Sequence, residues 1–116
     1  LQSRCRSCNS AIYRSRAEAV RDKMREARFN ITREQFDAML AEQEGRCAIC
    51  RSADPGSSWW HTDHDHACCP EPGRSCGKCV RGLLCSFCNS AIGYLKDDPA
   101  IMRAAAAYVE RTRTYR

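Results

Sequence analysis

The chain has 116 residues and a formal net charge of +5, and 43% of its residues are apolar, many of them alanine and cysteine. This length predicts one small domain, and a chain with so few large apolar residues usually needs disulfides or metal ions to stabilise its core. The sequence shows no secretory signal and no apolar run of the roughly 20 residues that span a membrane, so we expect a cytoplasmic protein without a membrane partner.

Residues 1–28 are the most basic part of the chain, with eight basic and three acidic side chains. The first predicted helix runs from Ser15 to about Phe29, and Ser15 forms a capping box with Glu18. An apolar stripe and an arginine stripe lie about 90° apart on this helix, so the first can pack on the protein while the second faces a polyanion such as DNA. A solvated basic surface explains the second stripe equally well. The stripes comprise Ala17, Val20, Met24 and Ala27, and Arg14, Arg21, Arg25 and Arg28.

The second predicted helix begins after an N-cap at Thr32 and ends near Glu44. It is expected to pack through one apolar face, as surface helices do. This face comprises Phe36, Met39 and Leu40.

Residues 59–66 form the next predicted element, a strand, and residues 78–85 are its predicted hairpin partner. A short helix starts near Asn89, and Asp98 caps a last helix that has Pro99 at its first position. The predicted inner face of this last helix comprises Ile101, Ala105, Tyr108 and Val109.

Ten cysteines give the strongest signal in the composition, because eight of them form four C-x-x-C pairs and the other two are adjacent. C-x-x-C places two thiolates on one tetrahedral ion, and two such pairs complete a structural zinc site. Zinc is favoured over a disulfide framework or a redox pair, since the chain lacks a secretion signal and a thioredoxin-like βαβ pattern. The pairs are Cys5/Cys8, Cys47/Cys50, Cys76/Cys79 and Cys85/Cys88, and the adjacent cysteines are Cys68 and Cys69.

One octapeptide pattern occurs twice, as CRSCNSAI in residues 5–12 and as CSFCNSAI in residues 85–92. Both copies predict a C-x-x-C turn that starts a helix. The second copy follows all three histidines of the chain, whereas no histidine lies near the first. We therefore expect Asn89 to take part in chemistry and Asn9 to be a cap or turn residue.

The three histidines lie in the run His61-Thr-Asp-His-Asp-His66. Hydrolysis of a phosphodiester needs an activated water, a cation on the phosphate and help for the leaving oxygen. A neutral imidazole can take the proton, and a hard cation such as Mg²⁺ binds carboxylate and amide oxygens. Alternate residues of a strand face opposite sides, so Asp63 and His64 reach one substrate only if the strand ends and twists there. Asn89 suits the amide role because its neighbour Cys88 is a predicted zinc ligand.

The order of these motifs resembles the recombination endonuclease VII family of phage-type HNH nucleases. The resemblance covers roughly residues 33–110 and rests on RCAIC, the DHDH strand, VRGLLCSFCNSAIGYLKDDP and AAAAYVE. It implies an α+β fold, a small zinc-stapled ββα-metal (His-Me finger) nuclease core with flanking helices. We assign this nuclease domain to residues 32–116 and a basic C-x-x-C segment and helix to residues 1–31, the two expected to form one compact unit.

The resemblance also implies the roles of matching residues. Asp63 and the side-chain oxygen of Asn89 would hold the catalytic Mg²⁺ or Mn²⁺. His64 would be the general base in a reaction that expels a 3′-oxygen and leaves a 5′-phosphate. The structural zinc would be bound by Cys47, Cys50, Cys85 and Cys88.

Two further histidines and one arginine match family positions with less defined roles. His66 is placed with the catalytic residues and His61 with the DNA contacts, and both have phosphate contact, support of the hairpin or a share in metal binding as possible roles. Arg81 is either a phosphate contact or an ordinary charge on the strand surface.

The loop between His66 and Val80 departs from the family pattern, since it carries four extra cysteines. One set of ligands for a second zinc is local and closes only a short loop, although adjacent thiols chelate one ion awkwardly. The other set joins Cys5/Cys8 to the Cys76/Cys79 pair and would pin the basic helix against the hairpin. The local set, slightly favoured, is Cys68, Cys69, Cys76 and Cys79.

These features predict a metal-dependent DNA endonuclease, encoded by a phage or a bacterium, that nicks or cuts duplex DNA and carries one or two zinc ions. The alternative is a zinc-stabilised nucleic-acid-binding module without catalysis, and a zinc protein that mediates protein contacts is a third possibility. The combination of Asp63, His64 and Asn89 favours the enzyme, because a binding module has no use for it.

Overall fold

The computed structural model of the protein describes residues 6–71 and 73–111, with the backbone alone for residues 6–8. Four α-helices and one two-stranded sheet are present in these residues, so the predicted α+β class is confirmed. In chain order they are α1 (Arg6–Phe29), α2 (Arg33–Glu42), β1 (His61–His64), β2 (Val80–Leu84), α3 (Ser86–Tyr94) and α4 (Pro99–Glu110). Among the described helices, none has the length and apolar character needed to cross a membrane.

Contacts divide the chain into two compact units. The first unit contains Leu1–Gly45 and Thr62–Leu83, and the second contains Arg46–His61 and Leu84–Arg116. Each unit therefore combines two segments that are distant in sequence. The division at residues 31 and 32 that the sequence suggested stays a prediction.

Helix α1 is longer than expected at its N-terminal end. It begins at Arg6, so Ser15 lies inside the helix and is not its cap, which corrects the predicted start. Residues 6–14 contain no glycine or proline, and without a breaker the helix continues through the serine. The start within the first octapeptide copy agrees with the expectation that this copy opens a helix.

The packed face of α1 also differs from the predicted apolar stripe, since Val20 and Met24 are exposed. The side of α1 that faces α2 is charged instead. Asp22 accepts hydrogen bonds from Arg25 at 2.9 Å and from Arg33 at 3.0 Å. The guanidinium carbon of Arg25 also lies 3.7 Å from the centre of the Phe36 ring. Long arginine side chains bury their stems in this way, which a count of apolar residues cannot detect.

Helix α2 begins where the sequence predicts, after the N-cap Thr32. The hydroxyl of Thr32 accepts from the backbone N–H of Gln35 at 3.2 Å, and the Gln35 side chain accepts from the Thr32 N–H at 2.8 Å. Beyond its end, the Gln43 amide bonds both the N–H and the C=O of Leu83, each at 2.9 Å. Leu83 is fully buried, so this clamp sets the position of β2 in the first unit.

Strands β1 and β2 are shorter than the predicted segments 59–66 and 78–85, but they pair as expected. The N–H of Asp65 donates to the Cys79 carbonyl at 2.9 Å, just beyond the strand ends, so the strands run antiparallel. Because Asp65 lies opposite Cys79 in this antiparallel pair, Asp63 lies opposite Arg81.

In the second unit, α3 begins at Ser86, three residues before the predicted start. The reason is Cys85, whose thiol caps the helix by accepting from the Cys88 N–H at 3.4 Å. The buried cluster around this cap contains Cys47, Leu84 and Cys85, with Trp60, Cys88 and Ile92 packed against it.

Helix α4 begins as predicted, with Asp98 accepting from the Ala100 N–H at 2.9 Å and Pro99 at the first position. Its predicted inner face is wrong at three of four positions, because Ile101, Tyr108 and Val109 are exposed and only Ala105 is half-buried. The half-buried positions are Met102 and Ala105, three residues apart and therefore on one side of the helix.

Candidate functional site

Four cysteine thiols of the second unit lie close enough to share one ion, with all four sulfurs within 4.8 Å of one another. The sulfurs of Cys50 and Cys85 are 3.8 Å apart. Tetrahedral zinc with Zn–S bonds of about 2.3 Å separates its thiolates by about 3.8 Å, so the spacing fits this ion. The predicted cluster, called here the first cysteine quartet, comprises Cys47, Cys50, Cys85 and Cys88.

Backbone amides in the first cysteine quartet favour the thiolate form that zinc binds. Burial raises the pKa of the Cys47 thiol, but hydrogen bonds from the N–H groups of Cys85, Cys50 and Ile49 outweigh it and bring the pKa to about 6. Burial and then the neighbouring thiols raise the pKa of Cys88 to about 12. The donor chemistry therefore fits a divalent ion that replaces the remaining protons.

A second cysteine quartet lies in the first unit, and its four sulfurs are also within 4.8 Å of one another. The sulfurs of Cys68 and Cys76 are 4.0 Å apart, and those of Cys76 and Cys79 are 3.9 Å apart. The Lys78 N–H is the main cause that lowers the pKa of Cys76 to about 7. The second cysteine quartet comprises Cys68, Cys69, Cys76 and Cys79.

The clustering of the second cysteine quartet matches the local ligand set predicted from the sequence. The alternative pair, Cys5 and Cys8, lies outside the described side chains. All eight cysteines whose side chains are described are free thiols, as zinc binding requires.

His64 is the last residue of β1 and is only 3% exposed. Its ring lies 4.5 Å from that of His66 and 5.9 Å from that of Phe29, measured between centroids. Its Nε2 lies 3.1 Å from the main-chain carbonyl oxygen of Cys69. Because a carbonyl oxygen only accepts, Nε2 is the donor in this bond.

Asp63, 8% exposed, pairs with Arg81 across the hairpin. The Nε and Nη2 atoms of Arg81 donate to the two carboxylate oxygens at 2.7 and 3.0 Å. Such bidentate pairs are among the stronger hydrogen-bonded contacts in proteins. The structure therefore brings together two residues that the sequence had assigned to different ligands, a metal ion and a phosphate.

Two further predicted site residues belong to the second unit. Asn89 is half-buried in the first turn of α3, where its N–H donates to the Cys85 carbonyl at 3.0 Å. His61 lies with its Nε2 3.4 Å from the Ser57 hydroxyl. The roles assigned to these two residues stay predictions.

The predicted arginine stripe of α1 divides into residues with different surroundings. Arg14 and Arg28 are exposed and Arg21 is half-buried. Arg25 has its guanidinium engaged by Asp22 and the Phe36 ring. Contact with DNA stays a prediction for the stripe, and the structure already gives Arg25 partners within the protein.

Two neighbours of His64 were missed in the sequence, the carbonyl of Cys69 and the ring of Phe29. Main-chain atoms carry no residue-specific signal, so no pattern could have identified the first. Phe29 was assigned only to the end of a helix, 35 positions before the histidine.

Comparison with known proteins gives one family and phage relatives. The family profile described as Recombination endonuclease VII matches residues 22–111. The Gene 59 protein of Mycobacterium phage D29 is 34% identical over 86 residues, which cover 73% of this chain and 47% of that protein. The Gene 59 protein of Mycobacterium phage L5 is 31% identical over 84 residues, covering 72% of this chain and 46% of that protein.

This chain thus spans about half the length of the curated relatives it matches. The profile match covers most of the chain and includes both strands and both cysteine quartets. The resemblance inferred from the sequence motifs is confirmed, and the chain belongs to the recombination endonuclease VII family.

Proposed function

We propose that the protein is a metal-dependent endonuclease that hydrolyses phosphodiester bonds of DNA, with β1, β2 and α3 as the elements of a ββα-metal core. The observation that carries the proposal is the buried pair Asp63 and His64 at the end of β1, in a chain of this family. Burying two adjacent ionisable side chains costs free energy, and such residues cluster at functional sites.

His64 is the proposed general base. It removes a proton from the water whose oxygen forms the new bond to phosphorus, while the bond to the 3′-oxygen breaks. The 3′-oxygen then takes a proton from solvent, and the products carry a 5′-phosphate and a 3′-hydroxyl. His66, whose ring lies beside that of His64, is proposed to support the base.

Asp63 and the side-chain oxygen of Asn89 are the proposed ligands of Mg²⁺ or Mn²⁺, since hard cations prefer oxygen donors. When bound, the cation stabilises negative charge on the scissile phosphate. Arg81 is the proposed phosphate contact, and its guanidinium is held beside this site by Asp63. We assign further DNA contacts to His61, Arg21 and Arg28. Arg25, predicted with them from the sequence, is instead assigned a structural role because Asp22 and the Phe36 ring engage its guanidinium.

Zinc is proposed at both cysteine quartets as a structural ion, one in each unit. Four thiolates with no open coordination position are typical of structural rather than catalytic zinc. The phage relatives suggest a phage-encoded protein.

Incubation with supercoiled plasmid tests the activity. Wild-type protein is expected to nick or linearise the plasmid in Mg²⁺ or Mn²⁺ and to be inactive with chelator. His64→Ala is expected to reduce cleavage by about 100-fold or more, because a general base contributes about 10²–10⁴-fold. Its zinc content and affinity for DNA should equal those of the wild type, and the variant should stay folded with a lower melting temperature, because a buried and hydrogen-bonded ring is removed.

Arg103→Ala, at an exposed position of α4, is the matched control and should retain full activity. Undiminished nicking by His64→Ala would remove the histidine from the proposed role. DNA binding without cleavage in either metal, by zinc-loaded wild-type protein, would instead support the non-catalytic binding module.

A further inference from the structure

The loop of residues 65–79, called here the cysteine loop, is tied to the residue that follows His64. The N–H of Asp65 donates to the Cys79 carbonyl at 2.9 Å, which closes the loop. The Asp65 carbonyl accepts from the N–H groups of Cys68 and Cys69 at 3.1 and 3.0 Å. The main chain at Cys69 is therefore held against the end of β1.

Cys69 connects the second cysteine quartet to the histidine ring. Its sulfur belongs to the quartet and accepts from the Cys76 N–H at 3.3 Å, while its carbonyl oxygen lies 3.1 Å from Nε2 of His64. An imidazole that donates from Nε2 in its neutral form has its free lone pair on Nδ1. The bond to Cys69 thus selects which nitrogen is available as a base.

A second set of bonds attaches the cysteine loop to the end of α1. Ser75, 6% exposed, donates from its N–H to the Arg28 carbonyl at 2.8 Å and from its hydroxyl to the Phe29 carbonyl at 3.1 Å. The Asn30 side chain donates to the Ser75 carbonyl at 2.6 Å. These bonds keep the Phe29 ring beside His64, on which it packs.

Close contact at Gly77 shows how tightly this attachment is built. A Cβ at Gly77 would lie 2.6 Å from the Asn30 carbonyl oxygen, and its φ of +88° is one that other residues rarely adopt. A larger residue at position 77 would therefore force the cysteine loop away from the end of α1.

Little apolar burial stabilises the cysteine loop. Most of its described side chains are exposed, including Cys68, Glu71, Arg74 and Cys76, and the buried one is the polar Ser75. A loop of this kind holds its conformation through hydrogen bonds and through an ion that joins its thiolates. The position of the Cys69 carbonyl consequently depends on the occupancy of the second cysteine quartet.

We infer that the second cysteine quartet acts as a positioning device for His64, with Cys69 as the positioning residue. Zinc bound by the quartet fixes the Cys69 carbonyl, the carbonyl holds the ring with hydrogen on Nε2, and Nδ1 is left to face the water. This inference rests on the proposed role of His64 as the general base.

Nitrogen-15 NMR of protein labelled at histidine tests the inference directly, because the chain has only three histidines. In the zinc-loaded wild type, His64 should show the chemical shifts of the neutral form with hydrogen on Nε2. Cys76→Ser keeps the Cys69 carbonyl but removes one ligand, so zinc should fall from two to one per chain. The His64 signals should then move to those of a mixture of tautomers.

Activity gives a second readout that a purely structural role would not produce. In Cys76→Ser, kcat on plasmid should fall by about 10- to 100-fold, a loss similar to that seen when a metal-bound histidine loses the partner that orients it. KM should stay near the wild-type value. Cys76→Asp, which keeps a zinc ligand, should restore the zinc and part of kcat.

Arg74→Ala is the matched control in the same loop, since the Arg74 side chain is exposed and pairs only weakly with Glu71 at 3.7 Å. It should leave zinc content, tautomer and kcat unchanged. If Cys76→Ser does not fold, the same NMR signals are followed in wild-type protein while a chelator lowers zinc from two to one per chain.

Loss of one zinc with an unchanged His64 tautomer and unchanged kcat would overturn the inference. Failure of the proposed function gives a different result. In that case the tautomer still follows the second zinc, but His64→Ala nicks plasmid as well as the wild type does.

Discussion

At the residue scale, Asp63 and Arg81 are proposed to bind a metal ion and a phosphate, but the structure pairs them with each other. The residues face each other across the hairpin, and both carboxylate oxygens accept from the guanidinium. A cation that binds Asp63 therefore approaches a carboxylate that already has a positive partner. Cation binding and release of Arg81 are consequently expected to be coupled, because both compete for the same negative charge.

Replacing Arg81 with methionine tests this coupling. Methionine keeps much of the apolar stem but removes the charge, so Mn²⁺ should bind severalfold more tightly in the absence of DNA. Affinity for DNA should decrease, since one phosphate contact is lost. Mn²⁺ binding is measured by electron paramagnetic resonance and DNA binding by fluorescence anisotropy.

Arg103→Met is the control for Arg81→Met, because Arg103 is exposed on α4. Zinc content and melting temperature should be compared first, since Asp63 is nearly buried and loses its partner. Equal or weaker Mn²⁺ binding by folded Arg81→Met protein would show that the guanidinium does not compete with the cation.

At the scale of the secondary-structure element, α1 packs through charge rather than through its apolar stripe. Burial raises the pKa of Asp22, but hydrogen bonds and charge interactions with Arg33 and Arg25 outweigh it and hold the pKa below its ordinary value of 3.8. The ion pairs of Asp22 therefore contribute stability above the ordinary pKa of an aspartate. That contribution is lost as the pH falls through the lower pKa of the folded state.

The arginines of α1 are expected to separate into two classes. Arg21→Ala combined with Arg28→Ala should weaken DNA binding and flatten its dependence on salt, because each phosphate contact releases counterions. Arg25→Ala should instead destabilise the protein by about 1–2 kcal/mol, since it removes a half-buried cation–π contact and an ion pair.

Anisotropy titrations at several salt concentrations and urea unfolding measure these two effects. Arg16→Ala, at another exposed position of α1, is the control for a change of charge outside the stripe. An unchanged salt slope in the Arg21/Arg28 variant would make the stripe irrelevant to DNA. A loss of DNA affinity in Arg25→Ala without a loss of stability would reverse the two classes.

On the scale of the whole molecule, the two cysteine quartets replace a large apolar core. Among the described residues, the buried apolar ones are only Ile31, Cys47, Leu83, Leu84 and Cys85. Two of these, Cys47 and Cys85, are candidate zinc ligands. Each unit contains one quartet, so each has its own candidate ion. Small domains with cores of this size usually depend on such staples.

Cys85→Ser tests this dependence in the second unit. Cys85 is a buried member of the first cysteine quartet and also caps α3. Serine can keep the cap, so the variant removes the zinc ligand alone. Structural zinc contributes apparent binding energies of about 10–16 kcal/mol in small peptides, comparable with the whole stability of a domain. The variant should lose one zinc and unfold or aggregate, as measured by zinc content and circular dichroism.

Ser90→Ala, an exposed change in the same helix, should have no effect on zinc content or melting. A soluble Cys85→Ser protein with a normal melting temperature would contradict the stapling role of the first cysteine quartet.

The elements follow from local signals in the sequence to a large extent. The N-cap at Thr32, the Asp98–Pro99 start of α4 and the paired strands all occur where predicted. Local chemistry decides these features, because a cap or a short hairpin uses residues close in sequence. The start of α1 and the inner face of α4 were wrong, since nothing local specifies how far an uninterrupted helix extends or which side it buries.

The sequence by itself determined the family, the caps of α2 and α4, the hairpin and the cysteines of the first quartet, because these depend on residue type and spacing. For the second quartet it left two ligand sets, and the structure brings the local one together. Only the tertiary structure decided that Arg81 pairs with Asp63, that Arg25 packs on Phe36, and that the Cys69 carbonyl meets His64. Such contacts depend on main-chain atoms and on the partners that packing leaves within reach. A pattern of residue types contains no information about either.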